Sequence, residues 1–331
     1  MDIPRIDIAP FRDGTAKRKV ADAVADSCRD IGFLVITGHG LDPAVLAAAF
    51  EQTRRFMDLP QEVKNQWYPN GPSKQRGYHG FATRGLAATL DNDIPPDLRE
   101  TLFLGPLDDH LDNNPHHDDD PAAQNAYWPN TIPNQPAGIE GALCAVYRAF
   151  ERLSAELLSI FALALDLPED YFAPRIDRHF SILSCHHYPA LTMPPRPNQL
   201  RTGAHTDFGA MTILAMTGAT NEDGGGLEVA MPGGTWRGVL AGRGELVVNL
   251  GDMMARWTND RWKSTLHRVA NPATLEDGAS RRQSIGYFMH PNFDALIECL
   301  PTCLAPGERP RHGPITAGEH IAGKIAKSHA V

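Results

Sequence analysis

The chain has 331 residues, 42% of them hydrophobic, and a formal net charge of −9. That length buries a large core, as one elaborated domain or two closely joined ones, while the acidic balance and the lack of any basic cluster argue against a general nucleic-acid binder. No apolar run reaches the length of a membrane span, Met1-Asp2-Ile3-Pro4 opens no signal core, and the five scattered cysteines, Cys299 and Cys303 included, read as ordinary thiols of a reducing cytoplasm.

In chain order, Ile6 to Ile8 reads as a short strand. A helix follows from about Thr15 to Asp30, with Val20, Ala23, Val24, Ser27 and Cys28 on one stripe. Phe33 to Thr37 is a buried strand closed by the turn Gly38-His39-Gly40. Asp42 and Pro43 supply the N-cap and first position of a helix to about Leu59, and Pro60 opens a short one toward Trp67. The segment 73–90 carries Arg76, Tyr78 and Arg84 among glycines without a helical stripe, which suits a recognition loop. Glu100 to Leu104 leaves it as a strand. From Leu107 to Pro136 the chain is polar and proline-rich; its His/Asp run at 108–120 reads as a solvated connection rather than a second metal site. A long helix spans about Ala137 to Leu165, its apolar face running from Ala142 through Leu153 to Leu165.

After Arg178 the pattern turns to short strands between Gly, Pro and Asn turns: 180–188, 211–216, 227–229, 236–240, 246–250, 267–269 and 282–289. That pattern suits a jelly roll. Gly218 to Gly226 is a glycine-rich hairpin without the lysine of a phosphate loop, and Glu319 to Lys327 is a helix expected to pack back across the N-terminal half. The expected divisions are 1–135, 136–174, 175–295 and 296–331.

Chemistry concentrates at Gly203-Ala204-His205-Thr206-Asp207-Phe208-Gly209 and at His267. In an extended strand residues i and i+2 share a face, so His205 and Asp207 project together. Two histidines and one carboxylate suit a divalent iron with open positions. Arg282 and Ser284 share a face in the same way. An inward guanidinium fork beside a hydroxyl is a receptor for a carboxylate.

His205-x-Asp207, the distant His267-Arg268-Val269 and Arg282-x-Ser284, in this order, resemble the isopenicillin N synthase-like branch of the Fe(II)/2-oxoglutarate dioxygenases. Val248-Asn249-Leu250-Gly251-Asp252-Met253, with Trp257 to Asp260 and Lys263-Ser264, is similar to the turn-and-strand run before that family's second histidine. His187-Tyr188-Pro189 resembles its Tyr-Tyr-Pro signature, Gly225 to Val229 its Gly-Gly-Leu-Gln-Val strand, and Ile3 to Asp7 with Ile31 to Gly40 its N-terminal segment. Tyr127-Trp128-Pro129-Asn130 resembles its Asn-x-Trp-Pro entry to the long helix, in altered order.

The resemblance implies an α+β fold with a mainly β core, a double-stranded β-helix flanked by N-terminal helices, a long central helix and a C-terminal helix. It implies Fe(II) on His205, Asp207 and His267, and 2-oxoglutarate chelating that metal. The cosubstrate's distal carboxylate falls to Arg282 and Ser284, with the Tyr188 hydroxyl as a further donor, and O2 is the oxidant. His186 stands where many members have asparagine, so no contact is carried over to it. The expected partner is a small, polar, carboxylate-bearing substrate, met by Arg76, Tyr78, Arg84 and Arg196. A monomer is compatible with the sequence, which does not set the oligomeric state. Two alternatives stay open here: an oxidase that uses Fe(II) and O2 without 2-oxoglutarate, and a non-catalytic jelly-roll metal-binding protein.

Overall fold

Residues 2–71, 74–85, 95–107, 120–217, 226–273 and 280–329 are described by the computed structural model. The Gly218–Gly226 hairpin and the 108–120 run fall outside these residues except at their last positions, as does the end of the 73–90 segment.

The fold begins with β1 (Arg5–Asp7), α1 (Ala9–Arg12), α2 (Lys17–Asp30), β2 (Phe33–Thr37), α3 (Pro43–Met57) and α4 (Gln61–Lys64). Asp42 caps α3 as its sequence asks, its Oδ1 accepting from the Ala44 N–H at 2.8 Å ahead of Pro43. Next come β3 (Gly77–His79), β4 (Glu100–Leu104), α5 (Pro121–Ala126) and the long α6 (Ile139–Ala164). The β-rich half holds β5 (Ile182–Tyr188), β6 (Thr202–His205), β7 (Met211–Thr217), β8 (Leu227–Ala230), β9 (Trp236–Gly238), β10 (Leu246–Leu250), α7 (Asp252–Trp257), β11 (His267–Val269) and β12 (Arg282–Met289). A short pair, β13 (Leu296–Ile297) and β14 (Ile315–Thr316), leads into α8 (Ala317–His329).

Two sheets make the β-helix. The eight-stranded one has the order β1-β2-β10-β7-β12-β5-β4-β3, and the four-stranded one β6-β11-β8-β9. Alternation along the strands divides the core between layers. Leu34 and Ile36 of β2 and Val248 of β10 point to the helices and join Val24, Phe150 and Leu157. Phe33 and Val35 of β2 and Val247 of β10 point the other way, onto Leu227 and Val229 of the small sheet. The helices thus cover the outer face of the large sheet, and the cavity opens between the sheets at the other end of the sandwich.

Several elements differ from the sequence pattern. The 73–90 segment contains β3, because residues 77–79 pair with β4 at the edge of the large sheet. The turn before the second histidine holds the helix α7. Gly251 is required where this helix meets the His-x-Asp turn: a Cβ there would lie 2.2 Å from the Gly209 carbonyl oxygen. That approach allows Asp252 N–H to donate to the Asp207 carbonyl at 2.8 Å. Helix α8 packs on α5 of the N-terminal half, as expected, but also across the cavity mouth. Its His320 Nε2 meets the Phe208 carbonyl at 3.2 Å and its Lys324 pairs with Asp252 at 2.5 Å.

Candidate active site

His205 ends β6 and His267 begins β11, and the two are direct register partners. Asp207 follows on the turn after β6. The three offer ligand atoms within 4.8 Å of one another, all from buried residues. Each histidine Nε2 lies 3.6 Å from Asp207 Oδ1, with the imidazole centroids 4.3 Å apart.

The surroundings fix how these atoms are presented. His205 Nδ1 lies 2.8 Å from the Gly203 carbonyl and His267 Nδ1 3.1 Å from the Thr265 carbonyl. A carbonyl only accepts, so each Nδ1 carries the proton and each Nε2 lone pair turns inward, the arrangement that metal-bound histidines adopt. Burial, and then the neighbouring His267, push His205 down to about 3. Burial alone would raise the Asp207 carboxyl. The two imidazoles, with hydrogen bonds from Thr212 Oγ1 at 2.5 Å and Asn249 Nδ2 at 2.6 Å, hold it below its ordinary value. Both of those donors engage Oδ2 and leave Oδ1 to the cluster. Two neutral imidazole nitrogens and one carboxylate oxygen, converging and fixed from behind, fit a divalent iron.

Arg282 and Ser284 project from β12 into the same cavity of about 830 Å³. Arg282 is 3% exposed, and burial draws its guanidinium below the ordinary arginine value. Its Nη2 reaches Met216 Sδ at 2.8 Å, while Nε and Nη1 have no hydrogen-bond partner. Tyr188, its register partner on β5, lies under the guanidinium with 5.0 Å to the ring centroid, and the Tyr188 hydroxyl meets Thr202 Oγ1 at 3.2 Å. Burial would push the Tyr188 phenol up, but Arg282 and Arg99 bring it below the usual tyrosine value. A buried guanidinium with no carboxylate partner is costly unless a ligand supplies one.

Of the residues expected to meet substrate, only Arg84 lines the cavity. Arg76 is buried elsewhere, donating to the carbonyls of Ala126 and Trp128. Tyr78 points to the opposite face of the sheet, where its hydroxyl meets Glu100 and Gln61. Arg196 is exposed away from the cavity, its backbone N–H bonded to Gln199. The structure adds His79, Arg99, His186 and His290 to the lining. Arg99 was legible in principle, since Arg99, Thr101 and Phe103 alternate onto the inward face of β4. Arg201 was missed as well: it is buried 5.9 Å from the Tyr188 ring centroid, with Nε unpartnered.

The fold and this donor set fit a non-haem iron oxygenase, with an unpaired buried guanidinium in the wall of the same cavity. Comparison with known proteins makes the class specific. Residues 179–291 match the 2OG-Fe(II) oxygenase superfamily, and residues 3–135 match the non-haem dioxygenase in morphine synthesis N-terminal family. The 2-oxoglutarate-Fe(II) type oxidoreductase hxnY of Emericella nidulans is 32% identical, covering 98% of this chain and 90% of its own. The proline hydroxylase buaE of Petromyces alliaceus is 30% identical over 99% of this chain and all of its own. A full-length Neurospora crassa protein, solved in complex with alpha-KG, superposes with a TM-score of 0.84 at 28% identity, covering 99% of this chain and 96% of that one. The chain belongs to the 2OG-Fe(II) oxygenase superfamily. It is an oxidoreductase that uses Fe(II), 2-oxoglutarate and O2.

Proposed function

We propose that His205, Asp207 and His267 hold the Fe(II), that Arg282, Ser284 and Tyr188 receive the distal carboxylate of 2-oxoglutarate, and that the enzyme oxidises a C–H bond of a small, polar, carboxylate-bearing molecule by hydroxylation, desaturation or ring formation. The observation that carries this reading is Arg282, buried in the cavity wall with two guanidinium nitrogens unpartnered. A carboxylate placed there makes charge-assisted hydrogen bonds that none of the described residues supplies.

Metal and oxo acid supply the oxidising chemistry when bound; the protein binds, orients and excludes water. Thr212 and Asn249 keep Asp207 ionised and aimed. The Gly203 and Thr265 carbonyls fix the imidazole tautomers. Ile321 and Ile325 of α8 lie with Phe208 among the cavity-lining residues, an apolar cover that limits water at the reacting centre. Lys74, Arg84 and Arg99 in the lining support an anionic substrate.

The test is an anaerobic titration with Fe(II) and 2-oxoglutarate, read as the visible metal-to-ligand charge-transfer band. A substrate panel scored by succinate release should follow, with proline and thymine included because a relative is named a proline hydroxylase and the Neurospora crassa protein is also solved with thymine. Undiminished oxidation of the true substrate without 2-oxoglutarate would overturn the cosubstrate assignment.

A further inference from the structure

The described cavity lining divides into an apolar floor and a cationic end wall. In β4, β5, β7 and β12, whose inward residues are otherwise mostly buried, Phe103, Ile182, Leu214 and Phe288 remain half-exposed and line the cavity. They adjoin across the strands: Phe288 is the register partner of Ile182, and Leu214 is that of Gly286. Large apolar side chains held half-open on a rigid sheet are a surface for an apolar body.

The end wall is His79, Arg84 and Arg99. Backbone bonds from Asp97 N–H to the Arg84 carbonyl at 2.8 Å and from Ala82 N–H to the Arg99 carbonyl at 3.2 Å set the two arginine segments side by side. Arg99 is held from behind, its Nη2 3.1 Å from Asp97 Oδ2 and its Nη1 donating to His186 Nδ1 at 3.1 Å. A guanidinium has more N–H donors than these two bonds use, so donors remain for a ligand. Among the described residues Arg84 donates to neutral acceptors, the Gln75 Oε1 at 3.4 Å and the Lys74 carbonyl at 3.2 Å. Burial and the two nearby guanidiniums bring His79 down to about 4, so it stands neutral between them. Two cationic forks therefore face the cavity with Asp97 behind one of them.

The opposite charge is nearly missing. Among the described lining residues the only carboxylate is Asp207, whose Oδ2 accepts from Thr212 and Asn249 and whose Oδ1 is turned to the two imidazole Nε2 atoms of the proposed metal cluster. A carboxylate entering this cavity finds bidentate partners. An ammonium group entering it finds no free counter-charge among the described lining residues and loses its hydration.

The geometry points to a primary substrate that is an organic acid with an apolar body and no free ammonium group, its carboxylate on Arg99 and Arg84 and its body on the Phe103–Phe288 floor. This rests on the proposed cosubstrate site and narrows its substrate class: an aromatic acid or an N-acylated amino acid fits, and a free amino acid does not.

Three probes of one shape test it: 3-phenylpropanoate, 3-phenylpropanamide and L-phenylalanine, titrated calorimetrically into the anaerobic Fe(II)- and 2-oxoglutarate-loaded protein. The acid should bind about ten-fold more tightly than either the amide or the amino acid, the advantage of a charge-assisted pair. In Arg99→Gln that advantage should collapse while 2-oxoglutarate affinity is kept. Arg84→Gln, at a half-exposed position, should weaken it in the same direction, and it serves if loss of the Asp97 pair unfolds the first variant. An acid that does not bind, an acid no better than its amide, L-phenylalanine binding as tightly as the acid, or a preference that survives in both variants would each overturn the inference. The charge-transfer band of the probe-free protein reports separately on the cosubstrate site, and the ranking of the probes is read from heat alone.

Discussion

The two faces of β5 hold buried charge under opposite terms. On the helix side, His187 Nδ1 donates to Glu100 Oε1 at 2.8 Å, Lys64 Nζ donates to Glu100 Oε2 at 2.7 Å, and the Tyr78 hydroxyl donates to the same carboxylate. Arg281 completes the chain, its Nε on His187 Nε2 at 2.8 Å and its Nη2 on Asp58 at 2.7 Å. On the cavity side, one residue along, Tyr188 lies under Arg282, whose Nε and Nη1 are unpartnered. Charge that is matched within the chain holds elements together. Charge left unmatched in a cavity is kept at a cost to stability and is free to meet a ligand, the role proposed for Arg282.

The largest effect should come from the proposed iron ligands. Replacing His205, Asp207 or His267 by alanine should remove both the charge-transfer band and succinate formation, whereas His267→Ala with full iron binding and activity would show that the third ligand lies elsewhere. Glu100→Ala should then lower the unfolding free energy by about 3–5 kcal/mol, because it strands Lys64 in the interior. Denaturant melts would record that loss, and 2-oxoglutarate affinity should hardly change.

Arg282→Met is the mirror experiment. It should weaken 2-oxoglutarate binding by about 2–4 kcal/mol while leaving unfolding free energy equal or higher, since it removes an unpaired buried charge at similar volume. If it destabilised the fold as much as Glu100→Ala does, the two faces would not differ in kind. Thr212→Val removes one of the two donors to Asp207 Oδ2, and should reduce iron affinity or activity by about 10–100-fold.

The smallest effect is a pH dependence. Burial would raise the Glu100 carboxyl, but His187, Lys64 and Tyr78 hold it below its ordinary value. A folded-state value below the unfolded one means that the carboxylate's stabilisation is present above the ordinary glutamate range and is lost as pH falls through the lower folded value. Wild type should therefore lose stability over that acid window, and Glu100→Gln should show a flatter profile in the same melts.

Much of this was legible along the chain because strand chemistry is periodic. An i, i+2 spacing put Arg282 with Ser284 on one face of β12, whereas His205 closes β6 and Asp207 joins it from the turn two residues on. Asp42-Pro43 marked a helix start because capping is local. The stripe from Ala142 to Leu165 marked α6 because only a 3.6-residue period lines those positions up.

What the sequence by itself determined, then, is which residues share a face; which face meets the cavity was decided only by tertiary pairing. Tyr78 and His79 are neighbours on a three-residue strand, and its pairing with β4 turned His79 inward and Tyr78 toward Glu100. Arg76 in a glycine-bearing loop had the chemistry of a substrate contact, but the Ala126 and Trp128 carbonyls that take its guanidinium come from a distant segment. Arg99 stands just before β4, and it is Asp97 and His186 that hold it against the cavity. Alternation is a property of the backbone and is written locally, whereas a long polar side chain goes where its partners are, and those partners are assembled only when the chain folds.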